Sequence, residues 1–391
     1  MNLKILAISY LYPSSDKPNH GVFVHNRLKA MSKYTDVTVI NPVPYFPFLN
    51  AVIKNKNILP QETINGITVY HPRFLSFPKI FKFIEIFTYK WAIEKVVKEI
   101  GFEFNLIDLH WTFPDLPTGN YLSKKYKKPF NVTLRGMEAF HEQDFGIRKY
   151  VVQHYLKKAN HIISLSQEMA DKSNQLSNTK DKTTIVRNGV DTGAFYYIDK
   201  NFCRDLLGIS KNEKIILGVG SYIYRKGFDI VIKQIREVQQ TKGCENVKYY
   251  ILGSAGPEGN YKKELDALII KEGIANSVVF INSVKNNELI HWYNAADVFC
   301  LSSRGEGSPN VLNEALACGT PVVAASVGGV SDIMNSLPNL GVMVDVGDDS
   351  GLIKGLTNQF LFPPNREGIS KAFNVFNWDW CAQQIIEVIS E

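Results

Sequence analysis

The chain has 391 residues, 45% hydrophobic and 21% charged, which at ~150 residues per domain predicts two or three soluble globular domains and excludes disordered, collagen-like and coiled-coil classes. Forty-four Lys and Arg against 38 Asp and Glu leave a net charge of +6, compatible with an anionic ligand or membrane surface but too small for a nucleic-acid footprint. Five cysteines, Cys203, Cys244, Cys300, Cys318 and Cys381, are odd in number and form no C-x-x-C pair, a pattern of the reducing cytosol. The opening MNLKILAISY is too short for a signal-peptide core, and no run reaches the ~18 uncharged apolar residues of a membrane span. The expectation is a cytoplasmic protein.

KILAIS near the start predicts a strand, followed by a loop with Pro13, Pro18 and Gly21 and a helix over VFVHNRLKAMSK. Further short apolar runs follow at VTVI (37–40), NLIDLH (105–110), FNVTL (130–134) and HIISLS (161–166), with helical patterns at 115–126 and in QEMADKSNQL. The alternation resumes after a linker near 188–200 with KIILGVGS (214–221), GFDIVIKQIREVQQ, VKYYILGS, a helix from about 259 to 272, SVVFIN, ELIHWYNAA, DVFCLSS, a helix opening near Pro309, and PVVAAS. Strands alternating with helices predict parallel sheets covered on both faces. The expected architecture is α/β, with two Rossmann-like doubly wound domains facing a cleft: residues 1–195 as the first, 196–377 as the second, and a terminal helix over 378–391 crossing back to the first. Ligands in such sheets bind beyond the carboxyl ends of the strands.

The densest chemical signal follows DVFCLSS, where the chain reads Arg304-Gly305-Glu306-Gly307-Ser308-Pro309-Asn310-Val311-Leu312-Asn313-Glu314. Ser308 suits a helix cap and Pro309 a first turn, so the amides of Ser308, Pro309's neighbours Asn310 and Val311, and the helix dipole would form an anion seat. Glu306 and Glu314 would border one ligand and accept from sugar or ribose hydroxyls. The competing reading is a capped surface helix with two solvated glutamates.

EGSPNVLNEALACGTPVVAASVGGVSDI resembles the donor-binding segment of the retaining GT-B glycosyltransferases of family four, the glycosyl transferases group 1. The resemblance extends to HGVFVHNRLKAM, DLHWTFPD, VTLRGMEAF, VRNGVDTGAF, GVGSYIYRKGFD and LGSAGPE, and is strongest toward teichuronic acid and capsular polysaccharide enzymes. It implies that Glu306 holds hydroxyls of the donor sugar, Glu314 holds the ribose, the Ser308 to Val311 amides cradle the pyrophosphate, and Gly307 and Pro309 belong to the same donor-binding loop. It also implies that Lys226 neutralises the leaving diphosphate, where a fixed cation stabilises the transition state more than the ground state. Gly21 matches the position where the family backbone approaches the donor, with His20 in place of a second glycine.

Two departures stand out. The family's usual arginine after Val219-Gly220 is here Ser221, and Arg225 is the candidate for the missing charge. Where the family carries His-Gly-x-Asp, this chain has Arg135-Gly136-Met137-Glu138. Arginine is no proton shuttle at neutral pH, so Arg135 would contact sugar or phosphate and Glu138 would take the acid's part, unless the two simply form a local ion pair. Asp115 opens a helix and reads as its cap. His110 and Trp111 would stack on an acceptor sugar or pack in the core.

The segment 77–98 interleaves aromatics with lysines, a pattern shared by interfacial helices on an anionic membrane and by ordinary domain helices. No H-E-x-x-H, His/Cys cluster or D-x-D pair argues for a metal or cofactor, so the expected reaction is metal-independent, with the nucleotide sugar as donor and a saccharide, free or lipid-linked, as acceptor. A sugar-nucleotide epimerase and a non-catalytic nucleotide-sugar sensor are the alternatives. A dinucleotide oxidoreductase is disfavoured, because Gly218-Val219-Gly220-Ser221-Tyr222-Ile223 lacks the third glycine of G-x-G-x-x-G.

Overall fold

The computed structural model describes residues 3–45, 58–76, 82–142, 147–256 and 258–390. The chain divides into two units: residues 1–188 with 378–391, and residues 189–377.

The first unit contains β1 (Lys4–Ile8), α1 (Val22–Met31), β2 (Asp36–Ile40), β3 (Val43–Tyr45), β4 (Gln61–Ile64), β5 (Ile67–Tyr70), β6 (Arg73–Leu75), α2 (Lys82–Ile100), β7 (Leu106–Leu109), α3 (Asp115–Tyr126), β8 (Phe130–Leu134), α4 (Ile147–Leu156), β9 (Ile162–Ser164), α5 (Gln167–Ser177) and β10 (Thr183–Ile185). Its main sheet runs β10-β9-β8-β7-β1-β2-β5-β4. All neighbours pair in parallel except β4, which is antiparallel to β5 across a turn at Asn65-Gly66, both with positive φ. Alternate residues of β1 face opposite covers: Leu6 and Ile8 join the core with α2 to α5, while Ile5 and Ala7 join the core with α1. That two-sided burial is why the strands read as continuous apolar runs.

The second unit contains α6 (Lys200–Leu207), β11 (Lys214–Val219), α7 (Phe228–Gln240), β12 (Val247–Gly253), α8 (Lys262–Glu272), β13 (Val278–Asn282), α9 (Asn286–Ala295), β14 (Val298–Leu301), α10 (Asn310–Ala317), β15 (Val322–Ala325), α11 (Val330–Met334), β16 (Gly341–Val344), α12 (Asp349–Leu361) and α13 (Arg366–Phe373). The sheet order is β13-β12-β11-β14-β15-β16, parallel throughout. Ile215 and Leu217 of β11 face one cover and Ile216 the other. The last helix, α14 (Trp378–Ser390), places Cys381, Ala382 and Ile385 in the core beside α1, and Asp379 receives Lys33 Nζ and the Tyr34 hydroxyl, each at 2.9 Å.

Two boundaries differ from the sequence reading. The division falls at 188/189, ahead of residue 195, because the Val190 amide bonds to the Phe376 carbonyl and Val190 and Phe195 pack into the second core. Helix α8 opens at Lys262, because Gly256 and Gly259 exchange backbone hydrogen bonds ahead of it.

Each strand order reverses once, between β1 and β7 in the first sheet and between β11 and β14 in the second. Crevices at such reversals, outside the carboxyl ends of the strands, are where open α/β sheets bind ligands. All five cysteines are buried and outside any disulfide, and burial raises Cys300 to about 12 and Cys203 to about 11. Among the described residues no helix is long and apolar enough to cross a membrane.

Candidate active site

At the reversal in the second unit, two loops meet. The loop after β11 turns through Gly220 and Ser221 into a single helical turn over Tyr224–Lys226; the loop after β14 runs through Ser302 to Pro309 and opens α10. They are tied along their backbones, with the Arg304 amide donating to the Arg225 carbonyl at 2.7 Å. Arg304 also forks onto Asp229, Nη1 to Oδ1 at 2.8 Å and Nη2 to Oδ2 at 2.7 Å, while its guanidinium lies 3.9 Å from the centre of the Tyr224 ring. Gly227 permits the close approach: its φ is +66°, and a β-carbon there would stand 1.9 Å from the Ser302 carbonyl oxygen.

The result is a compact charged cluster. Lys226 Nζ is 2.6 Å from Glu306 Oε1, the same oxygen accepts from the Ser303 hydroxyl at 2.6 Å, and Arg225 stands 3.6 Å from Glu306 Oε2. Arg225 donates to the Gly305 carbonyl at 3.0 Å and is held from behind by Glu258 at 2.7 and 3.1 Å. That bracing holds the Glu258 carboxyl below its usual range. The structure thus brings together Lys226, Arg225 and Glu306, and places Ser221 in the same loop as the two cations. Ser303, Glu258 and Asp229 are members of the cluster that sequence reasoning passed over; each sits in or beside a quoted motif, but only folding shows which charges they meet.

Helix α10 corrects the capping assignment. Its cap position is Pro309, with φ −74° and ψ 105° and no side-chain cap bond, so Asn310 is the first helical residue. Ser308 lies one residue ahead of the cap, and its hydroxyl is enclosed without a hydrogen-bond partner. Gly307 accepts from the Gly329 amide at 3.0 Å, and Val311 packs against the core. One turn further, Glu314 accepts from the buried Tyr293 hydroxyl at 2.9 Å. Burial raises the Glu314 carboxyl to about 7. Neither glutamate is the solvated surface group of the alternative reading.

The first unit has its own cluster at the carboxyl ends of β7 and β8. Arg135 donates from Nη2 to His110 Nδ1 at 2.7 Å and from Nη1 to Asn188 Oδ1 at 3.2 Å, and its guanidinium lies 5.4 Å from the Phe23 ring centre. The other ring nitrogen of His110 stands 3.1 Å from Asp108 Oδ2. Behind them Arg27 donates to Thr133 Oγ1 at 2.7 Å and stands 3.8 Å from Asp108. His110 is 0% exposed and Arg135 8%, so His110 neither stacks on a sugar nor packs as a plain core ring. It is one member of a buried polar chain. Burial, with help from the two arginines, lowers the imidazole to about 4; burial and the nearby Arg27 lower Arg135 to about 9. Burial alone would raise Asp108, but His110, Arg27 and Arg135 outweigh it and hold the carboxylate down.

No ion pair joins Arg135 to Glu138 among the described residues; Glu138 is exposed and folds back over Gly136. Asp115 is not a cap, since Pro114 occupies that position; it is a fully buried acid that takes the Tyr89 hydroxyl, and burial raises it to about 7. Trp111 is partly buried and its amide also bonds Asp115. Gly21, at φ +67°, has an internal reason for lacking a side chain: a β-carbon would stand 2.4 Å from the Leu11 carbonyl carbon.

Among the described residues no group of three His, Cys, Asp or Glu side chains is placed to hold a metal ion. In α2, Tyr89, Ala92, Ile93 and Val97 are buried while Phe83, Phe87 and Trp91 are 50 to 66% exposed. Residues 77–81 of the aromatic and basic segment, including Lys79, lie outside the described residues.

With both clusters in view, the comparisons with known proteins are decisive. The model of "Glycosyltransferase Family 4" matches residues 20–194, and that of "Glycosyl transferases group 1" matches residues 199–372. The chain belongs to this glycosyltransferase family. It is a transferase with the two-domain α/β fold called GT-B. TuaC of Bacillus subtilis, a glycosyltransferase named for teichuronic acid biosynthesis, is 25% identical over 364 residues, covering 86% of this chain and 85% of that one. A D-inositol 3-phosphate glycosyltransferase of Xylanimonas cellulosilytica is 30% identical over 222 residues, 54% of this chain and 52% of its own. Among solved structures, sucrose-phosphate synthase of Thermosynechococcus elongatus superposes with a TM-score of 0.80 at 20% identity, covering 99% of this chain and 98% of that one. Anabaena HepE in complex with UDP gives 0.74 at 21%, covering 99% and 100%. Both likenesses establish the fold.

Proposed function

We propose that this glycosyltransferase moves a sugar from a nucleoside-diphosphate donor to a hydroxyl of a saccharide, free or lipid-linked, with retention of anomeric configuration, in the building of cell-surface polysaccharide. The observation that carries the reading is the contact of Lys226 with Glu306 at the mouth of α10. A cation, a carboxylate and a helix N-terminus converge there on one crevice, which is what a nucleotide sugar requires. TuaC and the UDP-bound HepE supply the likeness from which pathway and donor are drawn.

In this reading the α10 N-terminus and Ser308 seat the diphosphate, and Lys226 and Arg225 take up its charge as the glycosidic bond breaks. Arg225 stands in for the arginine that Ser221 replaces. Glu306 exchanges its hold on Lys226 and Ser303 for sugar hydroxyls, and Glu314, fixed by Tyr293, takes the ribose. The matched motifs supply no nucleophile, so retention proceeds by a front-face reaction in which the leaving phosphate helps take the acceptor proton; a trapped covalent glycosyl-enzyme would overturn that. The reaction needs no metal. The exposed Phe83, Phe87 and Trp91 stripe of α2, four residues apart each, supports peripheral contact with an anionic membrane that carries the acceptor.

Calorimetric titration of UDP, GDP, ADP and dTDP without metal, on the native chain and on Lys226→Ala, tests the core of the reading. Selective binding of one nucleotide that weakens in the variant is expected. Binding of none of the four removes the donor site.

A further inference from the structure

The cluster at the ends of β7 and β8 carries an unbalanced charge. Nδ1 of His110 faces a guanidinium, which can only donate, so that nitrogen holds a lone pair, the imidazole is neutral, and the proton is on Nε2, 3.1 Å from Asp108 Oδ2. Two guanidinium groups, Arg27 at 1% and Arg135 at 8% exposure, are therefore opposed by a single carboxylate, Asp108 at 2%. Among the described residues no second carboxylate is paired with either guanidinium, and Arg135 Nε is buried without a hydrogen-bond partner.

A buried charge without a partner is costly, and its cost falls when an anion with matching geometry arrives. The surplus sits beside the order reversal of the first sheet, where open α/β sheets bind ligands. Arg135 follows β8 directly, at the carboxyl end of the sheet beside the order reversal, and retains a small exposed edge. Its planar group is held in place on three sides, by His110, Asn188 and the Phe23 ring. It is a preorganised fork, the geometry that suits a carboxylate or a phosphate.

Resting on the glycosyltransferase reading and deepening it, we propose that the saccharide handled by the first unit is itself anionic, bearing a carboxylate or phosphate that docks on Arg135. The anion belongs either to the sugar being transferred or to the acceptor. Arg135 thereby selects substrates by charge.

The test uses the full chain and the nucleotide selected by the panel above. One arm compares the nucleoside-diphosphate glucuronate with the nucleoside-diphosphate glucose. The other, with nucleoside diphosphate present, compares methyl glucuronide and glucose 6-phosphate with methyl glucoside. Each is titrated calorimetrically into the native chain, Arg135→Gln and Arg135→Lys. The expected result is that in one arm the anionic ligand binds at least about tenfold more tightly than its neutral counterpart, the order of one charge-assisted contact. Arg135→Gln abolishes the preference and Arg135→Lys keeps part of it, and the arm that shows it identifies the source of the anion. A far-UV spectrum and a urea unfolding transition matching those of the native chain certify that Arg135→Gln is folded; should it not fold, loss of fork geometry in Arg135→Lys serves as the variant. Equal affinities in both arms, or a preference that survives Arg135→Gln, overturn the inference while leaving the transferase reading intact. Failure of the native chain to bind any nucleoside diphosphate overturns both.

Discussion

Lys226 Nζ lies 2.6 Å from Glu306 Oε1, across two loops separated by 80 residues of chain. Because Ser303 shares the same oxygen and Arg225 approaches the other, the lysine is held in place before any ligand arrives, and preorganised cations act most strongly where charge develops. Lys226→Ala is expected to lower kcat by about 10²- to 10³-fold, the usual effect of removing one such group. Arg225→Ala is expected to weaken turnover as well. Steady-state kinetics of both variants decide it: full activity in Arg225→Ala removes the idea that Arg225 replaces the arginine absent at Ser221.

The fork between Arg304 and Asp229 holds the two loops together, so its loss reaches the lysine indirectly. Arg304→Lys removes one of two parallel bonds and the flat contact on Tyr224. A destabilisation of about 1–2 kcal/mol is expected, accompanied by a fall in kcat. Urea unfolding of the single variants and of the double variant with Asp229→Asn gives the coupling, which should be close to zero if the pair is incidental.

Gly227→Ala is expected to cost about 2 kcal/mol or more, since it adds a left-handed backbone penalty to a clash with the Ser302 carbonyl oxygen. Calorimetric scanning checks the stability, and nucleotide titration checks that the loop bearing Lys226 has shifted.

Glu314 and Asp115 are both raised to about 7 by burial. Their unfolded values lie near 4, so between about 4 and 7 the folded chain binds more protons than the unfolded one. Their contribution is therefore fully present at the acid end of that window and is lost as pH rises through about 7. His110 and His25, lowered to about 4, act with the opposite sign over most of the same window, so the readout is the difference between chains: the stability of the native chain relative to Asp115→Asn is expected to fall by on the order of 1 kcal/mol per pH unit between about 4 and 7. A difference that stays level across that range would contradict the assignment.

Transfer is expected to proceed at full rate in EDTA, because Lys226, Arg225 and a helix N-terminus supply the charge that a divalent ion supplies elsewhere. Product formation assayed with and without chelator, then with added magnesium, checks it.

The strands and helices that carry the sheets were legible as apolar runs and helical spacing because parallel strands are buried on both faces. FNVTL at 130–134 and the helix at 115–126 stand where the pattern placed them. The antiparallel pair β4 and β5, β16, and helices α12 and α13 were not, since short edge strands and helices without a strong motif leave a weak signal. The site was legible where a motif names residues close together, as from Glu306 to Glu314. It was illegible where a side chain's partner comes from far away. Ser308 reads as a cap by type, yet the extended Pro309 takes that position; Asp115 also reads as a cap, yet its carboxyl is claimed by Tyr89.

Local sequence thus determined the fold class, the loops that bear the chemistry and the residue types in them, because period, turn chemistry and motif spacing act over a few neighbours. Tertiary structure alone decided the charge state and company of each group. Arg135 and His110 are 25 residues apart in sequence and Arg27 is 106 from Thr133, and only when the sheet brings their strands and helix side by side does one carboxylate face two guanidinium groups. Electrostatic free energy depends on distance and burial, and neither quantity exists before the chain folds.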